Sequence, residues 1–558
     1  MSRRNLTILR LAAILLAPTL LAHAQQAVTA TLQGTVINAI THQPIARALV
    51  SLDQYGQAML TDNDGRFAFA DLPAGETMLS ARRPGFASDD AGGTVRQVVT
   101  AGASGITLAL VPQSTITGTL LLPGDDSPEG LQLQLLHREV QSGRGSWSMF
   151  RDAEATSDGH FRFSNLPAGA YLVHVGASLD PAPAQPPAGA ARPRSGYVPV
   201  FYPAARDVAG AGVITVSAGQ QAEVRMELSR EPFYPVTIPV VNAEQARGNI
   251  SFEVASDSFL GLPARFSPGD GTVRMELPIG HYLLEAQAYA PRMLTGQQEF
   301  DVNPPNPLGG TAPVRAAAIT LLPANRIPVV VHTDFTHTPA THGDGTPFTV
   351  SELIRLDLQR LGNGAGTHGR RPGLQDPDGP APDAAELTGV TPGRYWVNAT
   401  TSFGYIAAIT SGGVDLLADP LTVGADGSAS PIEVVLRDDA ASLSATLAGD
   451  LASSVQSPGP ARPNIYLQLI PQSGAAVARS QGFAADGTAS LGSLPPGTYL
   501  AFASTSRLEL EYRNPSVLAA LAGKSQSITV EPGGAAHIAL DSLVDSALGS
   551  PIEPAGAP

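Results

Sequence analysis

The chain of 558 residues contains no cysteine. Disulfides, a thiol nucleophile and thiolate metal ligands are therefore excluded, and each domain must hold together by burial alone. Lysine is almost missing as well: Lys524 stands against 33 arginines. Amide cross-links between a lysine amine and an asparagine or aspartate side chain cannot then recur in every domain. Long apolar runs are absent beyond the first 24 residues. Those residues read as an export leader, with Arg3, Arg4 and Arg10, the run Leu11 to Leu21, and Ala22-His23-Ala24 as the cleavage site. The run is too short to span a bilayer. The opening SRRNLTI also resembles a twin-arginine export signal. The expected location is outside the cytoplasm, in the periplasm, on the outer-membrane surface or extracellular.

Positive charge is scarce too. The chain has 34 basic and 49 acidic residues; cleavage of the leader leaves 31 against 49, near −18. Nothing in this balance attracts nucleic acid or an anionic membrane surface. At 558 residues the chain exceeds what one hydrophobic core serves, so several domains are expected.

A repeat organises what is present. DGRFAFADLPAGETML starts at Asp64, DGHFRFSNLPAGAYLV at Asp158, DGTVRMELPIGHYLLE at Asp270, DAAELTGVTPGRYWVN at Asp383 and DGTASLGSLPPGTYLA at Asp486. The second glycines, Gly75, Gly169, Gly280, Gly393 and Gly497, are spaced by 94, 111, 113 and 104 residues, which implies five units of one small domain each. Upstream of each turn lies an alternating segment: ALVSLDQ, LQLQLLH, ISFEVAS, IRLDLQRL and IYLQLIPQ. Alternation with period two marks a half-buried strand. A late hairpin is expected at 214–229 and at 528–542. The helical period is nearly absent, with one short helical turn expected between Asn514 and Gly523. The fold class is all-β, a tandem array of antiparallel β-sandwiches. The expected boundaries are a leader 1–24, units at 27–112, 114–230, 231–323, 325–438 and 440–543, and a disordered tail 544–558. Joints of a few residues, as at VPQST, LSREP and LPANR, predict a rod on the order of 150–200 Å from strands of about ten residues.

The stretch TDNDG, with three acidic or amide side chains ahead of Gly65, raises the question of calcium. An EF-hand loop places its glycine sixth and ligates through positions 1, 3, 5 and 12. Aligned on Gly65, position 1 is Leu60; in the second copy positions 3 and 12 are Thr156 and Asn165, and in the third positions 1 and 12 are Phe266 and Leu277. What the copies share is Asp-Gly, read as a hairpin turn in which glycine takes a positive φ. Two residues after each Pro-x-Gly corner stand Tyr171, Tyr282, Tyr395 and Tyr499, with Thr77 in the first unit. A tyrosine there can bury its ring and bond its hydroxyl to nearby backbone; a row of binding aromatics is the alternative.

Residues 34–86, GTVINAITHQPIARALVSLDQYGQAMLTDNDGRFAFADLPAGETMLSARRPGF, resemble the carboxypeptidase regulatory-like domain through the G-x-V start, the P-I-x-x-A-x-V strand, the T-D-x-D-G-x-F turn, L-P-x-G and the closing P-G-F. The resemblance implies a transthyretin-like sandwich of about seven strands, grouped with carbohydrate-binding-like folds. The second unit adds GYVPVFYPAARDVAGAGVITVSAGQ, similar to repeats of large secreted bacterial proteins. Such domains accompany zinc carboxypeptidases without performing the cleavage. H-x-x-E, H-E-x-x-H, the Y-R-G-S ending of transthyretin-like hydrolases and G-x-S-x-G are all absent. Ala522-Gly523-Lys524-Ser525 fails as a phosphate loop because Leu518 occupies the place of its first glycine.

Two clusters remain. His332, Asp334, His337, His342 and Asp344 lie close in sequence, but their spacing fits no closed metal site and they read as a solvated loop. Trp147 and Phe150, near Arg144 and Arg151, lie in what reads as a polar insertion of the second unit; Tyr197, Phe201 and Tyr202 follow in the same unit. Tryptophan beside arginine stacks on sugar rings or anchors peptides. Trp147, Phe150, Tyr197 and Tyr202 are therefore the candidate ligand contacts, with coverage of a sheet edge as the bland alternative. Trp396, on the opposite face from Tyr395, reads as surface packing. No catalytic residue, metal or cofactor is expected. The composite expectation is an exported, non-catalytic protein that binds a glycan or displays itself at the envelope. A spacer or assembly factor pairing through sheet edges is the alternative, and a metal-dependent hydrolase on the His332 loop a weaker one.

Overall fold

The computed structural model describes residues 29–73, 75–87, 95–181, 193–242, 250–256, 259–262, 264–289, 293–303, 314–337, 341–361, 373–375, 384–424, 427–456, 465–474 and 476–544. The leader, Asp383, the tail beyond Val544 and most of the segments 180–194 and 362–383 lie outside these residues. Strand accounts for 61% of the described residues and helix for 5%, in agreement with the all-β reading.

One strand arrangement recurs along the chain. In the first unit Thr29–Asn38 pairs antiparallel with Arg66–Pro73, the strand after the Asp-Gly turn, and parallel with Ile106–Pro112, the last strand. The same three-way pairing joins Ser114–Leu121 to His160–Leu166 and Gln221–Glu227, and Arg230–Val241 to Thr272–Leu277, Val314–Arg315 and Ile319–Thr320. It returns for Asn325–Asp334 with Ala384–Val390 and Ile432–Arg437, and for Ala441–Leu447 with Thr488–Leu494 and Ala535–Leu540. The facing sheet of each unit pairs the alternating strand with the one after the corner, as in Leu49–Leu52 with Glu76–Arg82. The sandwiches are thus mixed rather than purely antiparallel. Because the last strand runs parallel to the first, it ends beside the first strand's far end, as Leu110 lies opposite Asn38, and the chain leaves each unit at the end opposite its entrance; Gln113 alone separates Ile106–Pro112 from Ser114–Leu121.

The Asp-Gly turns behave partly as expected. The Asp62 carboxylate accepts from the amides of Asp64 (3.0 Å) and Arg66 (2.7 Å), and Asp270 and Asp486 accept from Thr272 and Thr488 in the same way. These aspartates shape backbone. Gly65, Gly159, Gly271 and Gly487 all have positive φ, and their carbonyls accept from Val36, Leu120, Val240 and Leu447 at 2.8–2.9 Å, which locks each turn onto the unit's first strand. A Cβ on Gly159 would lie 2.3 Å from the Leu120 carbonyl oxygen, so a larger residue cannot sit there unchanged. The hairpin reading needs correction. In the first, second and fifth units the two arms enter opposite sheets: Gln57–Leu60 pairs with Leu49–Leu52, whereas Arg66–Pro73 pairs with Thr29–Asn38. Only the third unit keeps a true hairpin among these, Arg265–Ser267 with Thr272–Leu277. The segments at 214–229 and 528–542 likewise split between sheets. Alternation shows which side chains face inward but not which layer a strand joins.

The corner tyrosines meet the buried-ring expectation. Their hydroxyls donate to the carbonyl four residues earlier: Tyr171 to Pro167 (2.8 Å), Tyr282 to Pro278 (3.0 Å), Tyr395 to Thr391 (2.8 Å) and Tyr499 to Pro495 (2.5 Å). Their rings sit in four separate hydrophobic clusters. Thr77, in the first unit, is buried with no partner for its hydroxyl among the described residues.

Adjacent units are more tightly joined than short linkers require. Strand Arg230–Val241 pairs through its first four residues with Arg194–Tyr197 of the second unit, and from Tyr234 onward with Thr272–Leu277 of the third. The expected boundary between 230 and 231 therefore falls inside a strand. Phe233 points into the second core and Tyr234 into the third, so one sheet serves two cores. Between the third and fourth units, Arg360 holds the buried Glu285 through two bonds of 2.7 and 2.8 Å.

Candidate functional site

The segment containing Trp147 is not an insertion between strands but a strand itself. Gln132–Gln141 and Arg144–Glu154 form a hairpin closed by Ser142 and Gly143, both at positive φ, the geometry that suits a two-residue turn to the twist of its arms. The hairpin tip leaves the second unit and docks between the fourth and fifth. Gly143 lies against the Tyr512 ring, where a Cβ would come within 2.5 Å, and a Cβ on Gly145 would meet the Glu511 carboxylate. The Arg513 amide donates to the Gly143 carbonyl at 3.0 Å. These contacts fold the array back on itself, which replaces the extended rod.

Charge and aromatic groups hold this junction. Arg138 binds both oxygens of Glu511, with the Nη2 bond at 2.7 Å, and its guanidinium lies 5.3 Å from the centre of the Trp147 ring. Arg144 stacks 3.9 Å over Trp396 and donates to the Leu417 carbonyl at 2.8 Å. Arg513 donates to the same carbonyl at 3.1 Å. Burial and the Arg513 charge push the Arg144 pKa down to about 10. Burial raises that of Tyr512. The three units leave a cleft of about 550 Å³, walled by Arg144, Trp396, Leu417, Gln472, Tyr512 and Arg513 among others. Below it, the helix Pro515–Ala522, capped by Asn514, packs Val517 and Leu521 onto the outer face of the fifth unit. It is longer than the single turn expected there.

The four aromatics singled out from the sequence do not converge. Trp147 is half-buried on the outer face of the second unit, beside Leu136, Leu172 and Phe201. Phe150 packs from the opposite face onto the core, near His137 and Tyr171. Tyr197 is buried, and its hydroxyl donates to Asp126. Tyr202 is partly buried against the same core. A common binding face of Trp147, Phe150, Tyr197 and Tyr202 is thus not formed, because strand alternation sends Trp147 and Phe150 to opposite sides of one sheet. Trp396 packs at the surface between units, and Glu511, Tyr512 and Arg513 join it. No local signal in EYRNP pointed there; its partner Arg138 is 373 residues away.

The His332 segment is dispersed. His332 and Asp334 end the strand Asn325–Asp334, the His337 amide donates to Asp438, His342 lies 3.3 Å from Glu352, and Asp344 accepts from Thr346. Among the described residues no group of three or more histidines and carboxylates is placed to hold a metal ion, and no helix is long and apolar enough to cross a membrane.

One titratable group lies buried beneath the hairpin. His174 is 1% exposed, with Nδ1 3.1 Å from Gln134 Oε1 and the ring 4.6 Å from Phe201. Burial pushes its pKa down to about 4. An unfolded chain binds its proton near the ordinary 6.5, so the unfolded state takes up more protons between the two values. The stability this neutral histidine secures is complete above pH 6.5 and is lost as pH falls toward 4, by about 3 kcal/mol. His174→Gln is expected to remove that increment from the acid side of a urea-midpoint profile. An identical fall in both proteins would contradict the assignment.

Comparisons place the first unit. Residues 31–110 match the model of the carboxypeptidase regulatory-like domain, so the first unit is such a domain. No curated protein matches the chain. Among solved structures, the Bacillus anthracis TIE protein is similar at 11% identity, over 74% of this chain and 68% of that one, with a TM-score of 0.14. The minor pilin of Streptococcus agalactiae is similar at 15% identity, over 36% and 96%, with a TM-score of 0.18. A Pseudomonas aeruginosa protein described as a candidate carbohydrate-binding protein is similar at 15% identity, over 21% and 89%, with a TM-score of 0.14. Superpositions this loose carry no argument about function.

Proposed function

We propose that this chain is an exported, non-catalytic binding protein of the cell envelope, and that it holds a carbohydrate in the cleft where the second, fourth and fifth units meet. The observation that carries this reading is the cleft itself. It joins an aromatic ring, Trp396, and convergent polar groups on three rigid sandwiches, the composition of a small-ligand site. The leader-like first 24 residues and the lack of cysteine support export. The resemblance of the first unit to carbohydrate-binding-like folds supports the ligand class. The contact between non-neighbouring units weighs against a pure spacer, since a spacer gains nothing by folding back. Of the four aromatics expected at the ligand, Trp147 serves the cleft indirectly, as the ring under Arg138. The purified chain, screened on a glycan array, is expected to bind and to lose at least tenfold in affinity in Trp396→Ala. Binding unchanged in that variant would move the site elsewhere. An array with no binding would end the carbohydrate reading.

A further inference from the structure

The charge inside the cleft is out of keeping with the rest of the molecule. The chain is strongly acidic, yet Arg144 and Arg513 line the cleft and Arg138 lies behind Glu511, which is the one carboxylate among the described residues that pairs with any of the three. Both Glu511 oxygens are taken by Arg138. Arg144 and Arg513 are left to share the Leu417 carbonyl, a neutral acceptor. Asp415, on the same loop as Leu417, accepts from the Leu417 amide at 2.9 Å and does not line the cleft. The Nε of Arg513 is buried with no partner among the described residues. Two partly desolvated cations side by side, met by neutral acceptors, the Leu417 carbonyl and for Arg513 also the Tyr512 hydroxyl, form an incomplete arrangement: burial of charge without a counter-charge is costly. The depressed pKa of Arg144, lowered by burial and by Arg513, expresses the same tension.

We infer that the cleft takes a carboxylate-bearing saccharide, an oligosaccharide of uronic acid, with its carboxylate seated between Arg144 and Arg513. This rests on the carbohydrate reading above and specifies its ligand. A planar carboxylate matches the fork of a guanidinium and supplies the missing counter-charge. Gln472, Ser473 and Asn514, which line the remaining wall, offer amide and hydroxyl groups suited to sugar hydroxyls. A cleft of about 550 Å³ has room for a short oligosaccharide. Trp396, already covered on one face by Arg144, orients that guanidinium rather than leaving it free to swing.

The test is calorimetric titration of the whole leader-free chain with trimers of galacturonate, glucuronate and mannuronate, each beside its methyl ester. At least one acid is expected to bind tenfold or more above its ester, with affinity falling as salt rises. Arg513→Gln is expected to bring acid and ester to the same affinity. Because the acid-to-ester comparison is made on the unaltered chain, it stands even if a variant misfolds. Esters that bind as well as acids would overturn the carboxylate inference and leave the carbohydrate reading intact. If no trimer binds, while trialanine binds and its C-terminal amide does not, the cleft takes peptide ends and both readings fall.

Discussion

Glu511→Lys is expected to release the hairpin of the second unit from the fifth and to lengthen the molecule in solution. The variant removes the acceptor of both Arg138 bonds and sets a cation beside Arg138, Arg144 and Arg513. Arg138 and Glu511 are 20% and 16% exposed, so their interaction is little screened. Breaking such a pair while leaving one charge behind costs about 3–5 kcal/mol. Docking would weaken by roughly a hundredfold to several thousandfold. The radius of gyration from small-angle scattering should rise, while far-ultraviolet circular dichroism stays that of an intact β-protein, because the change touches no hydrophobic core. Gly143→Val should act in the same direction by a different route, since its Cβ would collide with the Tyr512 ring. An unchanged radius in both variants would mean that the junction does not hold the units together.

Tyr282→Ala should produce the largest loss of folding stability, and the loss should spread beyond its own unit. Tyr282 is 1% exposed, stacks 5.7 Å from Phe300 and bonds the Pro278 carbonyl. Truncating a buried aromatic of this kind costs about 3–5 kcal/mol, and the Pro278 carbonyl loses its partner. The third unit shares the strand Arg230–Val241 with the second, and Phe233 on that strand fills the second core. Hydrogen exchange should therefore accelerate in Thr272–Leu277 and also in Arg194–Tyr197. Acceleration confined to the third unit would show that the shared strand does not couple the two.

What could be read from the sequence was local chemistry. Asp-Gly turns, Pro-x-Gly corners and tyrosines two residues beyond them are short-range features, and the structure meets them with side chain to backbone bonds spanning two to four residues. Long-range pairings were not legible. The parallel pairing of Ser114–Leu121 with Gln221–Glu227 leaves no mark in either strand's alternation. Nor does the alternation of Gln57–Leu60 reveal that it leaves the sheet of Arg66–Pro73. The cleft was half visible: Arg144 and Trp147 were noted as a pair, but Arg144 stacks instead on Trp396 from another unit. Nothing in the sequence marked Gly143 and Gly145 as the positions that make room for Tyr512 and Glu511. Expecting a rod from short joints overlooked the hairpin of Gln132–Gln141 and Arg144–Glu154, whose tip reaches Tyr512 and Arg513 of the fifth unit.

The fold-back is the claim on which the cleft depends, and the absence of native cysteine makes it directly measurable. Spin labels placed through Glu139→Cys on the hairpin and Ala519→Cys on the helix Pro515–Ala522, two exposed positions, can be read by pulsed electron resonance. Given the Arg513-to-Gly143 bond, the two labels should lie within about 40 Å in a single narrow population. A chain whose units follow one another in line would separate them by on the order of 100 Å, and a distribution lacking any short distance would contradict the cleft and the function argued from it.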